Sequence, residues 1–368
     1  MHWLELALPG CLMWLGVLLA PWQPWRVRER LEADPAGRPP SLDDVTVLIP
    51  ARDEADVIGE TLAGVRDQGA GARVVVIDDG STDGTAATAR EARAEVVAGS
   101  PLPDGWAGKL WALEQGRRTV DTPLILLLDA DIRLQPGTLA AMRTRLHRDR
   151  LQLVSLMAEL RMHSFWERML LPAFVFFFRL LYPFGLANDP RRRMAAAAGG
   201  CLLLEASALD RAGGFASLRG AIIDDCSLAR RIKDAGGRTW VGLSHAASSL
   251  RRYESLAAIR DMVARSAYTQ LRYSPLLLLL CSVLMVAAFW LPLAALAGPA
   301  PARAVALASL AGMALAYLPT LRFYRLRPWW CLALPAIGGC FLAMTWISAL
   351  RYWRGERSRW KGRVYQRG

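Results

Sequence analysis

Acidic side chains recur directly after short apolar runs in the first half of this 368-residue chain. Glu54 follows VTVLIPARD, Asp78 and Asp79 close RVVVIDD, and Asp129 and Asp131 close LILLLDAD. Carboxylates can bind divalent cations, hold ligand hydroxyl groups and accept protons. Their repeated position predicts one polar site built from several segments.

The Asp-Ala-Asp sequence at 129–131 suggests a metal site. In an extended strand, residues i and i+2 point to the same side, so Asp129 and Asp131 would face one ligand together. Carboxylate oxygens suit Mg²⁺ or Mn²⁺, which keep part of their coordination shell for water and substrate phosphates. Such a metal would neutralise the charge that develops on a nucleoside-diphosphate leaving group.

The phosphate-binding glycine motifs of two common nucleotide folds are missing from the sequence. No Gly-x-Gly-x-x-Gly follows the first apolar run, and no Gly-x₄-Gly-Lys-Ser/Thr occurs in the chain. The dinucleotide-binding and P-loop classes therefore lack the motifs that hold their phosphates.

The elements that position these acids are predicted to be strands alternating with helices. We expect strands at 45–50, 73–78, 95–99 and 124–131, with helices from about residues 54, 85 and 108. This alternation predicts an α/β fold with a mostly parallel sheet, whose ligands bind beyond the carboxyl ends of the strands.

Apolar runs at both ends of the chain predict membrane attachment. The residue content is 53% hydrophobic, and the excess lies at 3–22, 275–297, about 304–320 and about 329–349. The predicted organisation is an N-terminal transmembrane anchor at 1–25, a linker at 26–44, the α/β domain at 45–272, transmembrane or interfacial helices at 273–350 and a basic tail at 351–368. Within the α/β domain, 165–187 is either a helix in the membrane interface or a buried helix pair.

The formal net charge of +12 is explained better by a membrane than by nucleic acid. Arginines flank the apolar runs, which fits the positive-inside rule and attraction to anionic lipid. We therefore expect no nucleic-acid partner, a multi-pass protein of the cytoplasmic (inner) membrane, and an α/β domain in the cytosol. The rule also favours a cytosolic tail, which requires that one C-terminal apolar run be re-entrant or interfacial.

Six blocks of sequence, in order, resemble the inverting family 2 glycosyltransferases with a GT-A fold. They are VLIPARDE, VIDDGSTDGT, GKLWALEQG, LLLDADIRLQPG, GGCLLLEASALDRAGGF and DDCSLARRIKDAGGRTW, within residues 45–272. The N-terminal anchor, the C-terminal apolar runs and the closing WKGRVY are similar to a narrower group, the hopanoid-biosynthesis-associated glycosyltransferases.

The resemblance implies a role for individual residues. Asp225, preceded by Asp224, matches the acidic pair whose second member is the catalytic base, and Asp131 with Asp129 matches the metal-binding motif. The positions that match the nucleotide-sugar site are Pro50, Ala51, Arg52, Glu54, Asp78, Asp79, Lys109, Asp129 and Arg272. A turn with a helix cap is an alternative role for DDGSTDGT, a helix cap is one for Asp224 and Asp225, and a solvated lysine is one for Lys109.

One motif departs from the family pattern. Processive members carry Gln-x-x-Arg-Trp, whereas this chain has Thr269, Arg272 and Tyr273 at the corresponding positions, with a glutamine at Gln270. The departure favours a single transfer over polymer synthesis.

The implied function is inverting transfer of a sugar from a nucleotide-diphosphate sugar, expected to be a UDP-sugar, to the hydroxyl of a membrane lipid. The cofactor would be divalent Mg²⁺ or Mn²⁺, and the acceptor would belong to hopanoid lipid biosynthesis. Two alternatives are a polyprenyl-phosphate glycosyltransferase and a non-catalytic membrane subunit that handles lipid.

Overall fold

The protein is described here from a computed structural model, which covers residues 2–34, 41–360 and 363–366. The chain forms two compact units. The sheet unit consists of Glu29–Arg161 and Leu186–Arg252, and the helical unit consists of Met1–Arg28, Met162–Gly185 and Tyr253–Gly368. Part of the predicted linker (35–40) and two residues of WKGRVY (361–362) lie outside the described residues.

The sheet unit contains one eight-stranded sheet. Its strands are β1 Val45–Ala51, β2 Arg73–Asp78, β3 Glu95–Ala98, β4 Leu124–Leu128, β5 Ile132–Leu134, β6 Leu153–Glu159, β7 Cys201–Glu205 and β8 Thr239–Ser249. The spatial order is β3-β2-β1-β4-β7-β6-β8-β5. The helices are α2 Ala55–Arg66, α3 Thr85–Glu91, α4 Gly108–Arg117, α5 Thr138–Arg148, α8 Ala206–Arg211 and α9 Asp224–Asp234, with a 3₁₀ helix at Phe215–Leu218.

The predicted α/β fold is confirmed, and the sheet is mixed. Strands β1 to β4 pair only in parallel with one another, as do β6 and β8. Strand β7 is antiparallel to β4 and β6, and β5 is antiparallel to β8. The parallel half follows from strands such as LILLL, which are buried on both faces.

Alternating side chains of the central strands build a core on each face of the sheet. Val47 and Leu126 belong to the core that contains Ile58 of α2. Leu48 and Leu127 belong to the opposite core, which packs against α4 and α9. Because helices cover both faces, the open carboxyl ends of β1, β2 and β4 are left to form a ligand site.

The helical unit contains the apolar ends of the chain. Its elements are α1 His2–Leu19, α6 Phe165–Leu181, α10 Leu256–Ala264, α11 Ala267–Gln270, α12 Pro275–Phe289, α13 Leu291–Ala295, α14 Ala300–Phe323, a 3₁₀ helix at Pro328–Ala333 and α15 Leu334–Trp353. The short α7, Phe184–Ala187, spans a boundary between the units, and β9 Glu356–Trp360 pairs antiparallel with β10 Arg363–Gln366.

Three segments in the described part of the chain are long and apolar enough to cross a membrane: Pro275–Ala295, Ala300–Phe323 and Pro328–Trp353. The predicted N-terminal anchor forms the shorter apolar helix α1. Most of the stretch 165–187 lies outside the sheet unit: residues 165–185, including α6, belong to the helical unit, as do residues 253–272. The predicted domain 45–272 is therefore divided between the two units.

Contacts within the helical unit give the relative directions of its helices. Trp3 lies against Gly298 and Trp14 against Gly312, so α1 and α14 run in the same direction. Trp14 Nε1 also donates to the Ala288 carbonyl (3.0 Å), and Gly10 lies against Pro292, so the α12–α13 segment runs opposite to α1.

Helix α15 runs opposite to α12. Gly338 lies against the Phe289 ring, Trp346 Nε1 donates to Ser282 Oγ (3.0 Å), and Tyr352 stacks on Tyr273 at 4.3 Å. Helices α14 and α15 consequently run in the same direction although they are consecutive in the chain, and the connection between them doubles back. Cys331 in that connection donates its Sγ–H to the carbonyl of Ala314 (3.5 Å), within α14.

Candidate active site

The loops that follow β1 and β2 are joined by hydrogen bonds. Asp53 N donates to Ser81 Oγ (3.0 Å), and Thr82 N donates back to Asp53 Oδ1 (2.8 Å). Glu54 N donates to Thr85 Oγ1 (2.9 Å). Asp53 has a left-handed backbone (φ 50°), a conformation that short polar residues tolerate best after glycine. The DDGSTDGT segment thus shapes the loop that carries Glu54.

The predicted nucleotide-binding residues meet at the ends of these two strands. Asp79 is buried, and its N–H donates to the carbonyl of Ala51 (2.8 Å). The guanidinium of Arg52 donates to the Asp79 carbonyl oxygen. Pro50 lies opposite Ile77 in the β1–β2 register, and Asp78 is the last residue of β2. The structure therefore brings Pro50, Ala51, Arg52, Asp78 and Asp79 together.

A second group forms around Lys109, in the first turn of α4. Its Nζ lies 2.7 Å from Asp129 Oδ1 and 3.8 Å from Asp224 Oδ2, and it donates to the carbonyl of Gly199 (3.5 Å). Asp224 and Asp225 are the first two residues of α9, where the positive end of the helix dipole favours carboxylates. Lys109 is thus the counter-ion of acids from two other segments of the chain, the end of β4 and the start of α9.

Burial and the neighbouring charges of this cluster shift the pKa values of its side chains. Burial raises the pKa of Asp225 to about 6, and the neighbouring Asp224 carboxylate adds to this rise. The Cys226 N–H (2.7 Å) and the charge of Lys109 act in the opposite direction. Burial also raises the pKa of Asp129, although Lys109 opposes this shift. The pKa of Lys109 is raised because its acidic neighbours outweigh the effect of its own burial.

Asp225 consequently titrates near neutral pH. A carboxyl group with a pKa of about 6 is ionised at pH 7 and is a stronger proton acceptor than an ordinary aspartate. A small cavity lined by Lys109, Asp129, Asp224, Asp225 and apolar side chains adjoins the group. This arrangement can bind a polar ligand and remove a proton from it.

Asp131 pairs with Arg251, whereas Asp129 pairs with Lys109. Arg251 Nε donates to Asp131 Oδ2 (2.7 Å), and Arg251 Nη2 donates to Glu54 Oε1 (2.8 Å). The predicted strand to residue 131 is also too long: β4 ends at Leu128, and residues 129–131 form the turn into β5. The argument from an extended i, i+2 pair therefore does not hold, because the hydrogen bond from Ile132 N to the Asp129 carbonyl (3.1 Å) closes a turn there.

The residues present suit a hard divalent cation, but they form only part of its coordination shell. Carboxylate oxygens of Asp129 and Asp131 are the ligand type that Mg²⁺ and Mn²⁺ prefer. No group of three or more His, Cys, Asp or Glu side chains within the described ranges has metal-binding geometry. A metal here would complete its shell with water and ligand oxygens, as Mg²⁺ commonly does.

Two predicted site residues have surroundings that the sequence did not reveal. Lys109, which matches a position of the nucleotide-sugar site, is paired with Asp129 and Asp224. Arg272 belongs to the helical unit, where its side chain is exposed and its backbone is left-handed (φ 52°). Beside it, Thr269 Oγ1 donates to Tyr273 OH (3.0 Å), and Tyr182 OH donates to Gln270 Oε1 (2.6 Å). The altered Gln-x-x-Arg-Trp segment is thus engaged in packing within that unit.

Sequence reasoning missed Arg251. It lies two residues beyond the end of β8, so a basic residue after a strand was the only available signal. Its partner Asp131 is 120 positions away along the chain.

Most of the chain matches a known family of enzymes. Residues 39–269, more than half of the chain, match the family model described as Glycosyltransferase like family 2. The chain belongs to this family. The predicted membership in family 2 is thereby confirmed, and the family 2 domain includes the acid cluster and the loops that follow β1 and β2.

A solved structure shows the same fold as this family 2 protein. The mannosyltransferase PcManGT from Pyrobaculum calidifontis, in complex with GDP-Man and Mn²⁺, superposes with a TM-score of 0.56. The match covers 95% of this chain and 99% of PcManGT at 22% sequence identity. The predicted GT-A fold is confirmed.

Curated relatives match over shorter segments. Glycosyltransferase AglJ of Haloferax volcanii is 39% identical over 92 residues, which are 25% of this chain and 29% of AglJ. The 4,4'-diaponeurosporenoate glycosyltransferase of Staphylococcus aureus is 42% identical over 89 residues, 24% of each protein. The matched segments therefore span about a quarter of the length of these relatives.

Proposed function

We propose that this protein transfers a sugar from a nucleoside-diphosphate sugar, a UDP-sugar, to the hydroxyl group of a membrane lipid, with inversion at the anomeric carbon. The observation that carries the proposal is the Asp225 carboxyl group, whose pKa of about 6 suits a general base. It lies in a cluster with Lys109 and Asp129 in a family 2 domain.

In the proposed reaction, Asp225 accepts the proton of the acceptor hydroxyl while the hydroxyl oxygen attacks the anomeric carbon. Attack from the face opposite the diphosphate breaks the bond between sugar and phosphate and inverts the centre. Asp224 raises the pKa of Asp225 and Lys109 lowers it, so these two side chains adjust the base in opposite directions.

The donor would be held by the loops that follow β1 and β2. Buried Asp79 is suited to holding the base, and Glu54 and Arg52 lie in the adjoining loop. A divalent metal, Mg²⁺ or Mn²⁺, bound by Asp131 and Asp129, would supply positive charge to the leaving diphosphate.

The proposed acceptor is a membrane lipid. Three apolar segments long enough to cross a bilayer support this, as does the name of the Staphylococcus aureus relative, whose acceptor diaponeurosporenoate is lipid-like. The narrower proposal of an acceptor in hopanoid biosynthesis is based on the resemblance of the terminal segments. The altered motif at Thr269 and Arg272 supports a single transfer.

We propose that the protein is a multi-pass protein of the cytoplasmic membrane with its sheet unit and tail in the cytosol. α1, the α12–α13 segment and α14 would each cross once. α15 runs in the same direction as α14, so the connection between them would re-enter from the cytosolic side, and α15 would return the chain to that side. The end of α15 supports this, because Tyr352 stacks on Tyr273, immediately before α12.

Substitution of the base tests the proposal. Asp225→Asn should lower the rate of transfer from UDP-[¹⁴C]sugar to extracted lipid by about 10²- to 10⁴-fold, with UDP binding by calorimetry retained. Asp234→Asn, at the exposed end of the same helix, is the matched control and should transfer at the normal rate. Unchanged turnover in Asp225→Asn would contradict the assigned base and would favour a polyprenyl-phosphate acceptor, whose nucleophile needs no base.

Removal of metal tests the second part of the mechanism. Treatment of the purified protein with EDTA should abolish transfer, and added Mn²⁺ or Mg²⁺ should restore it. Full activity in EDTA would show that Asp131 and Asp129 have another role.

A further inference from the structure

Arg251 joins two acidic side chains from different loops of the donor site. Its guanidinium contacts Asp131 at 2.7 Å and Glu54 at 2.8 Å. The Asp131 and Glu54 side chains are 12% and 13% exposed, whereas 38% of the Arg251 side chain is exposed. Two nearly buried carboxylates therefore share one cation that reaches solvent.

The backbone near Arg251 is fixed to the same turn as Asp131. Leu250 N donates to the Asp131 carbonyl (2.7 Å), and Ser249 lies opposite Ile132 in the β5–β8 pair. The contact between Arg251 and Asp131 is thus set by the sheet register. A change of partner requires only rotation of a long, partly exposed side chain, without movement of the strands.

A guanidinium and a divalent cation compete for the same carboxylate. Arg251 Nε already occupies Asp131 Oδ2, and a metal ligated there would add two positive charges beside the guanidinium. The two cations repel each other, so a metal bound by Asp131 weakens the Arg251 contact. An arginine displaced in this way can pair with phosphate oxygens, for which its planar group is suited.

Building on the proposed function, we propose that Arg251 is a positioning residue: it is the counter-ion of Asp131 and Glu54 until a divalent cation displaces it from Asp131. The diphosphate of the donor gives the displaced guanidinium a new partner. Metal and nucleotide then bind cooperatively, because each removes part of the cost of moving Arg251.

Mn²⁺ binding to the full-length protein in lipid nanodiscs tests this inference. Titrations followed by electron paramagnetic resonance would measure free Mn²⁺ with and without UDP. Arg251→Gln removes the competing cation, so its Mn²⁺ affinity without UDP should rise roughly fivefold or more. The increase in affinity that UDP causes should be smaller than in the wild type.

Arg133→Gln is the matched control. It removes the same charge two residues from Asp131, but Arg133 contacts Glu60 (3.5 Å) and its side chain is half exposed. Its Mn²⁺ affinity should equal that of the wild type. Unchanged or weaker Mn²⁺ binding in Arg251→Gln would overturn the inference, as would an equal increase in Arg133→Gln.

A lysine variant keeps the test decisive if Arg251→Gln does not fold. Arg251→Lys retains the charge but has a single ammonium group in place of two separate N–H arms. Its Mn²⁺ affinity should exceed that of the wild type, and an equal affinity would refute the role of Arg251.

Sugar transfer and UDP binding by the wild type are measured in parallel. If both are present, a negative result refutes only this inference, whereas their absence refutes the proposed function.

Discussion

At the scale of single residues, Asp225 determines the expected pH dependence. Its pKa of about 6 arises mainly from burial and from the adjacent Asp224. A base acts only in its ionised form, so kcat/KM for sugar transfer should rise with pH through a midpoint near 6 and then level off. Initial rates measured at subsaturating donor concentration across this range check the expectation. A profile that is flat between pH 5 and 7 would contradict it.

Lys109 should control the position of that midpoint. Its positive charge lowers the pKa of Asp225, so Lys109→Met should move the midpoint of kcat/KM to higher pH. Arg118→Met, which removes a charge just beyond the opposite end of α4, should leave the midpoint unchanged. A variant with a lower rate but the same midpoint would show that Lys109 acts through donor binding or folding alone.

The site residues that sequence predicts best are those adjacent to local signals. Asp79 and Glu54 follow apolar runs that form strands, and strand ends in a parallel sheet meet at one edge. The pairing of Lys109 with Asp129 and of Arg251 with Asp131 depends on contacts between distant segments. Spacing along the sequence does not indicate which lysine or arginine pairs with which acid. Each pair is therefore known only from the folded structure.

At the scale of elements, the packing of α2 against β5 positions the turn that carries Asp131. A Cβ at Gly64 would lie 2.9 Å from Leu134 N and 3.0 Å from Leu134 O, and these backbone atoms belong to β5. Gly64→Ala should therefore destabilise the protein by about 1–3 kcal/mol through overpacking. Thermal unfolding followed by intrinsic fluorescence in one detergent would measure the change.

Gly59, five residues earlier in α2, is the control for that substitution. A Cβ there would meet only a methyl group of Thr88 at 3.7 Å, an ordinary contact. Gly59→Ala should be neutral or stabilise the helix by about 0.5–1 kcal/mol. Equal destabilisation by both variants would contradict the role assigned to the contact between Gly64 and β5, because a gain in helix propensity cannot destabilise either variant.

The elements of the first half of the sheet unit could be predicted because each has a local pattern. Strands β1, β2 and β4 are apolar runs of five to seven residues, and the helices expected from about residues 54, 85 and 108 begin at Ala55, Thr85 and Gly108. The second half could not be placed in this way. Strand β7 inserts antiparallel between β4 and β6, and the order of strands there depends on long-range pairing. The membership of α6 in the helical unit is likewise a matter of packing.

At the scale of the whole molecule, the parallel direction of α14 and α15 predicts the side of the tail. A green fluorescent protein fused after Gly368 should fluoresce in cells, and alkaline phosphatase fused there should be inactive, because both reporters would be cytosolic. Alkaline phosphatase inserted after Gly298, between α13 and α14, should be active. An active phosphatase at the C-terminus would show that α15 crosses the membrane.

The order of elements along the chain has a consequence for biosynthesis. Helix α6 packs through Phe176 on Tyr317 and through Phe177 on Phe341, both of which are translated much later. Nearly a hundred residues separate the end of α6 from the start of α12, so at about 5–20 residues per second α6 waits roughly 5–20 s before the helices that carry these aromatic partners begin to emerge. During that interval its aromatic face needs a chaperone or the bilayer surface as a temporary cover. Ribosomes translating this protein should therefore be held at the membrane before α12 emerges.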